Sequence, residues 1–191
     1  MKLANFLTAS RIFLSPLFFL AFFIPVWTGV GQTASVVILW VIFILIEISD
    51  FFDGRVARSR NEVSDLGKVM DPFADSFARL TYFVCFMGTG MMPIWIFIII
   101  LWRDLIISFF RLLNAKQGKI VAARMSGKIK AFIYAFACVA GLLVVTATRI
   151  PAFNDLLDVL NKVALGFFLF SAGTAIWTFI DYYRTILPAK E

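Results

Sequence analysis

The feature that most constrains this chain is a series of apolar runs, each long enough to cross a bilayer. A spanning helix needs about 20 mostly apolar residues, and six stretches qualify: 12–30, 33–52, 69–90, 93–113, 127–148 and 163–183. With 61% hydrophobic residues, the chain carries more apolar side chain than a soluble core encloses, since globular domains run at roughly 45–50%. The expected fold class is therefore an all-α integral membrane protein with six transmembrane helices, forming one domain over residues 1–191. The first run is long, contains Pro16 and Pro25 and has no obvious small-residue cleavage site, so it reads as an uncleaved span. Residues 1–11 alternate polar and apolar at helical spacing, which predicts a short N-terminal amphipathic helix in the membrane interface.

Charge placement sets the expected orientation. Lys2, Arg11, Arg55, Arg58, Arg60 and Lys68 fall on one side, together with Lys116, Lys119, Arg124, Lys128, Lys130, Arg184 and Lys190. Connections 25–32 and 88–93 on the other side carry no charge, and 149–158 carries Arg149, Asp155 and Asp158. Basic loops stay cytoplasmic, so both termini are expected there, consistent with an even number of spans. The net charge of +6 contains no long basic run, which argues against nucleic acid as a partner. Cys85 and Cys138 lie in apolar stretches without metal-ligand spacing and read as buried thiols. Five tryptophans, Trp27, Trp40, Trp95, Trp102 and Trp177, read as interface anchors or packing. The chain has no histidine, so a general base would have to be a carboxylate, lysine, tyrosine or cysteine.

The chemistry concentrates in residues 47–79. Asp50 and Asp53 are three apart at the end of the second run, and Asp71 and Asp75 are four apart at the start of the third. Each pair projects from one helix face, and the two runs are antiparallel neighbours, so four carboxylates can converge at the cytoplasmic edge. Ionised groups inside a spanning helix cost about 2.5–3.5 kcal/mol each on insertion scales, and like charges repel. Divalent cations resolve both problems: carboxylate oxygens suit magnesium, manganese or calcium, and two metals a few ångströms apart form a clamp for phosphoryl transfer. Small residues Gly54, Ala57 and Gly67 leave room for a large ligand near the backbone, and Arg58 offers a fork for phosphate oxygens.

The order D-x2-D-G-x2-A-R-x8-G-x3-D-x3-D, formed here by Asp50, Asp53, Gly54, Ala57, Arg58, Gly67, Asp71 and Asp75, matches in every spacing the signature of the CDP-alcohol phosphatidyltransferases. The chain resembles that family over nearly its whole length, and the family's six membrane helices agree with the six runs. The resemblance implies that Asp50, Asp53, Asp71 and Asp75 hold two divalent ions, Mg2+ or Mn2+. It implies that Asn5, Thr8, Asp50, Asp53, Gly54, Ala57, Arg58, Ser64 and Gly67 surround the CDP group of a CDP-linked lipid, and that Asp75 is the general base. It also implies a multi-pass protein of the cell (inner, cytoplasmic) membrane with its active site facing the cytoplasm, and a homodimer.

For the acceptor, three stretches resemble the members that use glycerol 3-phosphate: Asn5-x2-Thr8-x2-Arg11, then Arg103-Asp104 through Ser108 to Arg111, then Gly127-Lys128-Ile129-Lys130. Arginine within an apolar run is expensive unless paired. An acceptor phosphate bound by Arg103, Ser108, Arg111, Lys128 and Lys130 would supply the counterion, and the competing reading pairs Arg103 with Asp104. Ser76 stands where those members often have lysine, and Glu47 where a small residue is common. Glu47 lies one turn deeper than Asp50, and Arg79 one turn deeper than Asp75, which predicts a buried Glu47–Arg79 pair. Rival readings are the same chemistry on inositol phosphate, serine, choline or phosphatidylglycerol, an ion transporter with intramembrane carboxylates, and a silent membrane subunit.

Overall fold

The structure, a computed structural model, describes the backbone of residues 3–59, 65–116 and 125–186. Side chains at 3–5, 7, 51, 53–59, 65–69, 71, 115–116 and 185–186 lie outside the described set. Within it the chain is all helical: α1 (Leu3–Thr28), α2 (Gln32–Ser59), α3 (Asp65–Gly88), α4 (Ile94–Lys116), α5 (Met125–Arg149), a 3-10 segment (Pro151–Leu156) and α6 (Leu157–Ile186). Four segments are long and apolar enough to cross a membrane: Thr8–Thr28, Gln32–Asp50, Met125–Arg149 and Pro151–Arg184. The apolar stretches of α3 and α4 are interrupted by Asp71, Asp75 and Arg79 and by Arg103, Asp104 and Arg111, respectively.

Residues 3–15 contain nothing that breaks a helix, and they run unbroken into α1 as its first turns. The connection expected at 149–158 is shorter than the sequence suggests. Pro151–Leu156 is a 3-10 turn, exposed throughout, and α6 begins directly after it with Asp158 in its first turn, favourable to the helix dipole.

The chain divides into two compact units, Met1–Cys85 with Val145–Asp155, and Phe86–Val144 with Leu156–Glu191. In the first, α1 and α2 pack along their length. The turn between them places Gly29 and Gly31 at positive φ (73° and 79°), a conformation that glycine adopts without steric cost. Gln32 Nε2 donates to Pro25 O at 2.9 Å across that turn. Phe18 and Phe22 of α1, Leu39, Phe43 and Ile46 of α2, and Ala74, Ala78 and Tyr82 of α3 are buried at helical spacing. The Tyr82 ring meets Phe18 edge-on at 4.6 Å and Phe43 at 5.6 Å. Arg149 ties the end of α5 to this unit: Nη1 donates to Ser35 Oγ (2.7 Å), Nη2 to Phe22 O (2.6 Å), and the guanidinium lies 4.8 Å over the Phe22 ring. Cys85 and Cys138 are buried, as expected. Trp40 packs inward and donates from Nε1 to Thr146 Oγ1 at 3.0 Å, whereas Trp27, Trp95, Trp102 and Trp177 are exposed on the helix surfaces.

In the second unit α4 packs against α6. The buried side of α6 reads Ala164, Phe168, Ser171, Ala175, Thr178 and Tyr182, alternating steps of four and three. That is a heptad-like seam, built largely from small and hydroxylated residues that let helices approach closely. The large apolar side chains of α6, such as Leu165, Leu169, Phe170, Ile176 and Ile180, are on its exposed surface. The Phe86 and Phe168 rings meet at 5.8 Å between centres, tilted by 31°. Gly141 admits Phe86 so closely that a Cβ there would lie 2.5 Å from the ring.

Candidate active site

The carboxylate pairs predicted from spacing begin where the sequence puts them, near the end of α2 and in the early turns of α3. Asp50 and Asp75 come together in the first unit, and what joins them is a residue from a third helix. Arg11 of α1 donates from Nη1 to Asp50 Oδ1 at 2.7 Å and, from the same nitrogen, to Asp75 Oδ1. The Arg11 side chain is fully enclosed (0% exposed), while those of Asp50 and Asp75 remain 33% and 28% exposed. The cation thus lies on the protein side of the pair and the carboxyls reach toward the open side. Thr8, one turn before Arg11, is buried on the same stretch of α1.

Glu47 lies one turn before Asp50 on α2, and Arg79, which is buried, lies one turn after Asp75 on α3. Asp50 and Asp75 share Arg11.

Asp53 and Asp71 occupy α2 and α3 at the register that places them on the Asp50 and Asp75 faces. Their side chains, with those of Asn5, Gly54, Ala57, Arg58 and Gly67, lie outside the described residues, as does Ser64 altogether. Among the described residues no group of three potential metal ligands is drawn together; two of the four aspartate side chains stand outside that set. The donors present fit a hard divalent ion. They are carboxylate oxygens from two helices, converging on one positive point and left short of positive charge.

The cations expected to hold an acceptor phosphate fall in the second unit, and the structure gathers only some of them. Arg103 Nη1 and Lys130 Nζ both donate to Asp104 Oδ1, at 2.9 and 2.6 Å. Asp104 is almost completely buried, and Arg103 and Lys130 are about a tenth exposed. Arg103 Nε also donates to Thr178 Oγ1 at 3.1 Å, and the Lys130 ammonium sits 4.6 Å over the Tyr134 ring. The expected alternative partner of Arg103, Asp104, is thus its partner here, but it serves two cations at once. Lys128 is exposed. Two residues from Lys130, it lies on nearly the opposite side of α5. Ser108 and Arg111 continue the Asp104 face of α4 at steps of four and three. Ser126 donates to Asp181 Oδ2 at 2.8 Å.

Sequence reasoning placed Arg11 in a motif without giving it a role, and missed Asp104 as a hub and Thr178 as its neighbour on α6. The available signal was the cost of leaving such groups unpaired in an apolar segment.

The CDP-alcohol phosphatidyltransferase family model matches residues 1–178. A CDP-diacylglycerol–glycerol-3-phosphate 3-phosphatidyltransferase of Treponema pallidum is 31% identical, covering 98% of this chain and 90% of the relative. A probable phosphatidylglycerophosphate synthase of Mycobacterium tuberculosis is 33% identical over 85% of this chain and 78% of its own length. A CDP-diacylglycerol–glycerol-3-phosphate 3-phosphatidyltransferase of Bacillus subtilis is 33% identical over 74% of this chain and 77% of its own length.

Proposed function

This chain belongs to the CDP-alcohol phosphatidyltransferase family, and from that premise we propose that it transfers the phosphatidyl group of CDP-diacylglycerol to glycerol 3-phosphate. The products are phosphatidylglycerophosphate and CMP. The observation that carries the reading is the convergence of Asp50 and Asp75 from two helices within a motif whose other two aspartates share their faces. The acceptor follows the names of the relatives.

The acceptor hydroxyl oxygen bonds to the lipid-side phosphorus, the bond from that phosphorus to the bridging oxygen breaks, and CMP leaves with the electron pair. Asp75 accepts the hydroxyl proton as general base; its carboxyl is partly open to solvent. Asp50, Asp53, Asp71 and Asp75 would hold Mg2+ or Mn2+, which when bound supply positive charge for the diphosphate oxygens. Asn5, Thr8, Gly54, Ala57, Arg58, Ser64 and Gly67 surround the CDP group, with Arg58 on a phosphate. Arg103, Ser108, Arg111 and Lys130 orient the acceptor phosphate, supported by the two-to-one ratio of cations to carboxylate around Asp104. All six long helices span the cell membrane, both termini and the active site face the cytoplasm, and residues 1–191 act as one domain that pairs into a homodimer.

The test is CMP release by purified protein from CDP-diacylglycerol, with Mg2+ or Mn2+ and one alcohol at a time. Release that requires glycerol 3-phosphate and is lost in Asp75→Asn is the expected result. Release only with inositol phosphate, serine, choline or phosphatidylglycerol would keep the metal site and overturn the acceptor assignment. No release with any alcohol, from folded protein, would overturn the reaction.

A further inference from the structure

A fully enclosed arginine donating from one nitrogen to two carboxylates of separate helices is not a membrane-side charge marker. Arg11 is among the largest wholly buried side chains among the described residues, and the residues it joins are 39 and 64 positions away. Its own backbone is fixed in turn, with Ser15 Oγ donating to Arg11 O at 2.7 Å. Without a cation between them, Asp50 and Asp75 would repel and their helix ends would separate or one carboxyl would hold a proton.

We propose that Arg11 is a positioning residue for the metal site. It holds one oxygen of Asp50 and one of Asp75 from the enclosed side, so the two carboxyls are already converged when divalent ions arrive from the open side. The proposal rests on the reading that Asp50 and Asp75 are metal ligands. A guanidinium suits the task because it is always charged and its donors are fixed in a plane. Hydrogen-bond partners that orient ligating groups typically change metal affinity by about 10–100-fold when removed.

Arg11 positions the ligands and takes no part in bond making. Its loss therefore acts on metal occupancy, and saturating metal recovers most of kcat. An arginine serving only to hold the fold would lower stability and leave the affinity of the folded protein for metal unchanged.

The experiment measures Mn2+ binding to the purified full-length protein by the electron paramagnetic resonance signal of free Mn2+, for wild type, Arg11→Gln, Arg11→Lys and Asp75→Asn. Expected are saturable binding in wild type and weaker binding in Asp75→Asn. The dissociation constant should rise about tenfold or more in Arg11→Gln, and Arg11→Lys should fall between, since an ammonium keeps the charge but not the fork. CMP release across a Mn2+ series should show the Arg11 variants shifted to higher metal, with the KM for CDP-diacylglycerol at saturating metal little changed. Unchanged or tighter Mn2+ binding in Arg11→Gln overturns the proposal. If Arg11→Gln does not fold, Arg11→Lys decides: weaker binding supports it and wild-type affinity overturns it. Wild type without saturable binding, or Asp75→Asn binding as wild type, overturns the metal-ligand reading and the proposal with it. Altered affinity in Asp75→Asn but not in the Arg11 variants overturns the proposal alone.

Discussion

In the first unit two carboxylates, Asp50 and Asp75, meet one arginine, Arg11, and stay about a third exposed. In the second, one carboxylate, Asp104, meets Arg103 and Lys130, and the group is closed on nearly every side. Both use a single atom to join charges from two helices: Arg11 Nη1 in one, Asp104 Oδ1 in the other. The sign of the joining atom differs, and so does what is left over. A cation at the centre leaves the first cluster with more negative than positive groups. An anion at the centre leaves the second with more positive than negative groups. The difference in enclosure matters as well, because a buried charge that loses its partner costs far more than a solvated one.

The sharpest way to break this comparison is to neutralise one acid at a time. Asp75→Asn is expected to lower CMP release by about 10³-fold, within the range for loss of a general base, and a loss below tenfold would remove Asp75 from the chemistry. Stability should discriminate the clusters next. Asp104→Asn strips two buried cations of their counterion and is expected to cost about 3–5 kcal/mol, read as unfolding in mixed micelles. Asp50→Asn in metal-free protein removes one of the two part-exposed carboxylates on Arg11 while Arg11 keeps Asp75, so stability should stay within about 1 kcal/mol of wild type. Equal losses in the two variants would mean that the clusters are not opposites. Arg103→Gln and Lys130→Gln should raise the KM for glycerol 3-phosphate about tenfold, equivalent to roughly 1.4 kcal/mol, with the KM for CDP-diacylglycerol little altered. A change in kcat alone would assign these residues to structure. The smallest effect is the coupling between Glu47 and Arg79. The double-mutant cycle of Glu47→Gln and Arg79→Gln should give a coupling of about 0.5–3 kcal/mol, and strict additivity would sink the pairing.

The aspartate motif was legible because its information is local. Spacings of three and four fix a helix face, and a short connection makes α2 and α3 neighbours. The Arg11 contact was not, since register says which way a residue points along its own helix but not which third helix arrives opposite it. Lys128 and Lys130 looked like a pair in the sequence, yet two residues on a helix turn them apart, and the structure keeps only Lys130 with Arg103. The join of residues 3–11 to α1 was readable in principle, as no proline or glycine precedes Pro16.

The seam of α6 has a consequence for how substitutions would distribute. Its inner positions are alanine, serine and threonine with two aromatics, and its outer ones are leucine, isoleucine and phenylalanine. Tolerance should therefore run opposite to that of a water-soluble helix. Outer leucines and isoleucines should interchange freely, since lipid tails accept any comparable shape. Ala164 and Ala175, which hydropathy ranks as unremarkable, should accept almost nothing larger. A random library of α6 variants sorted for folded protein would then preserve the small residues and scramble the large ones.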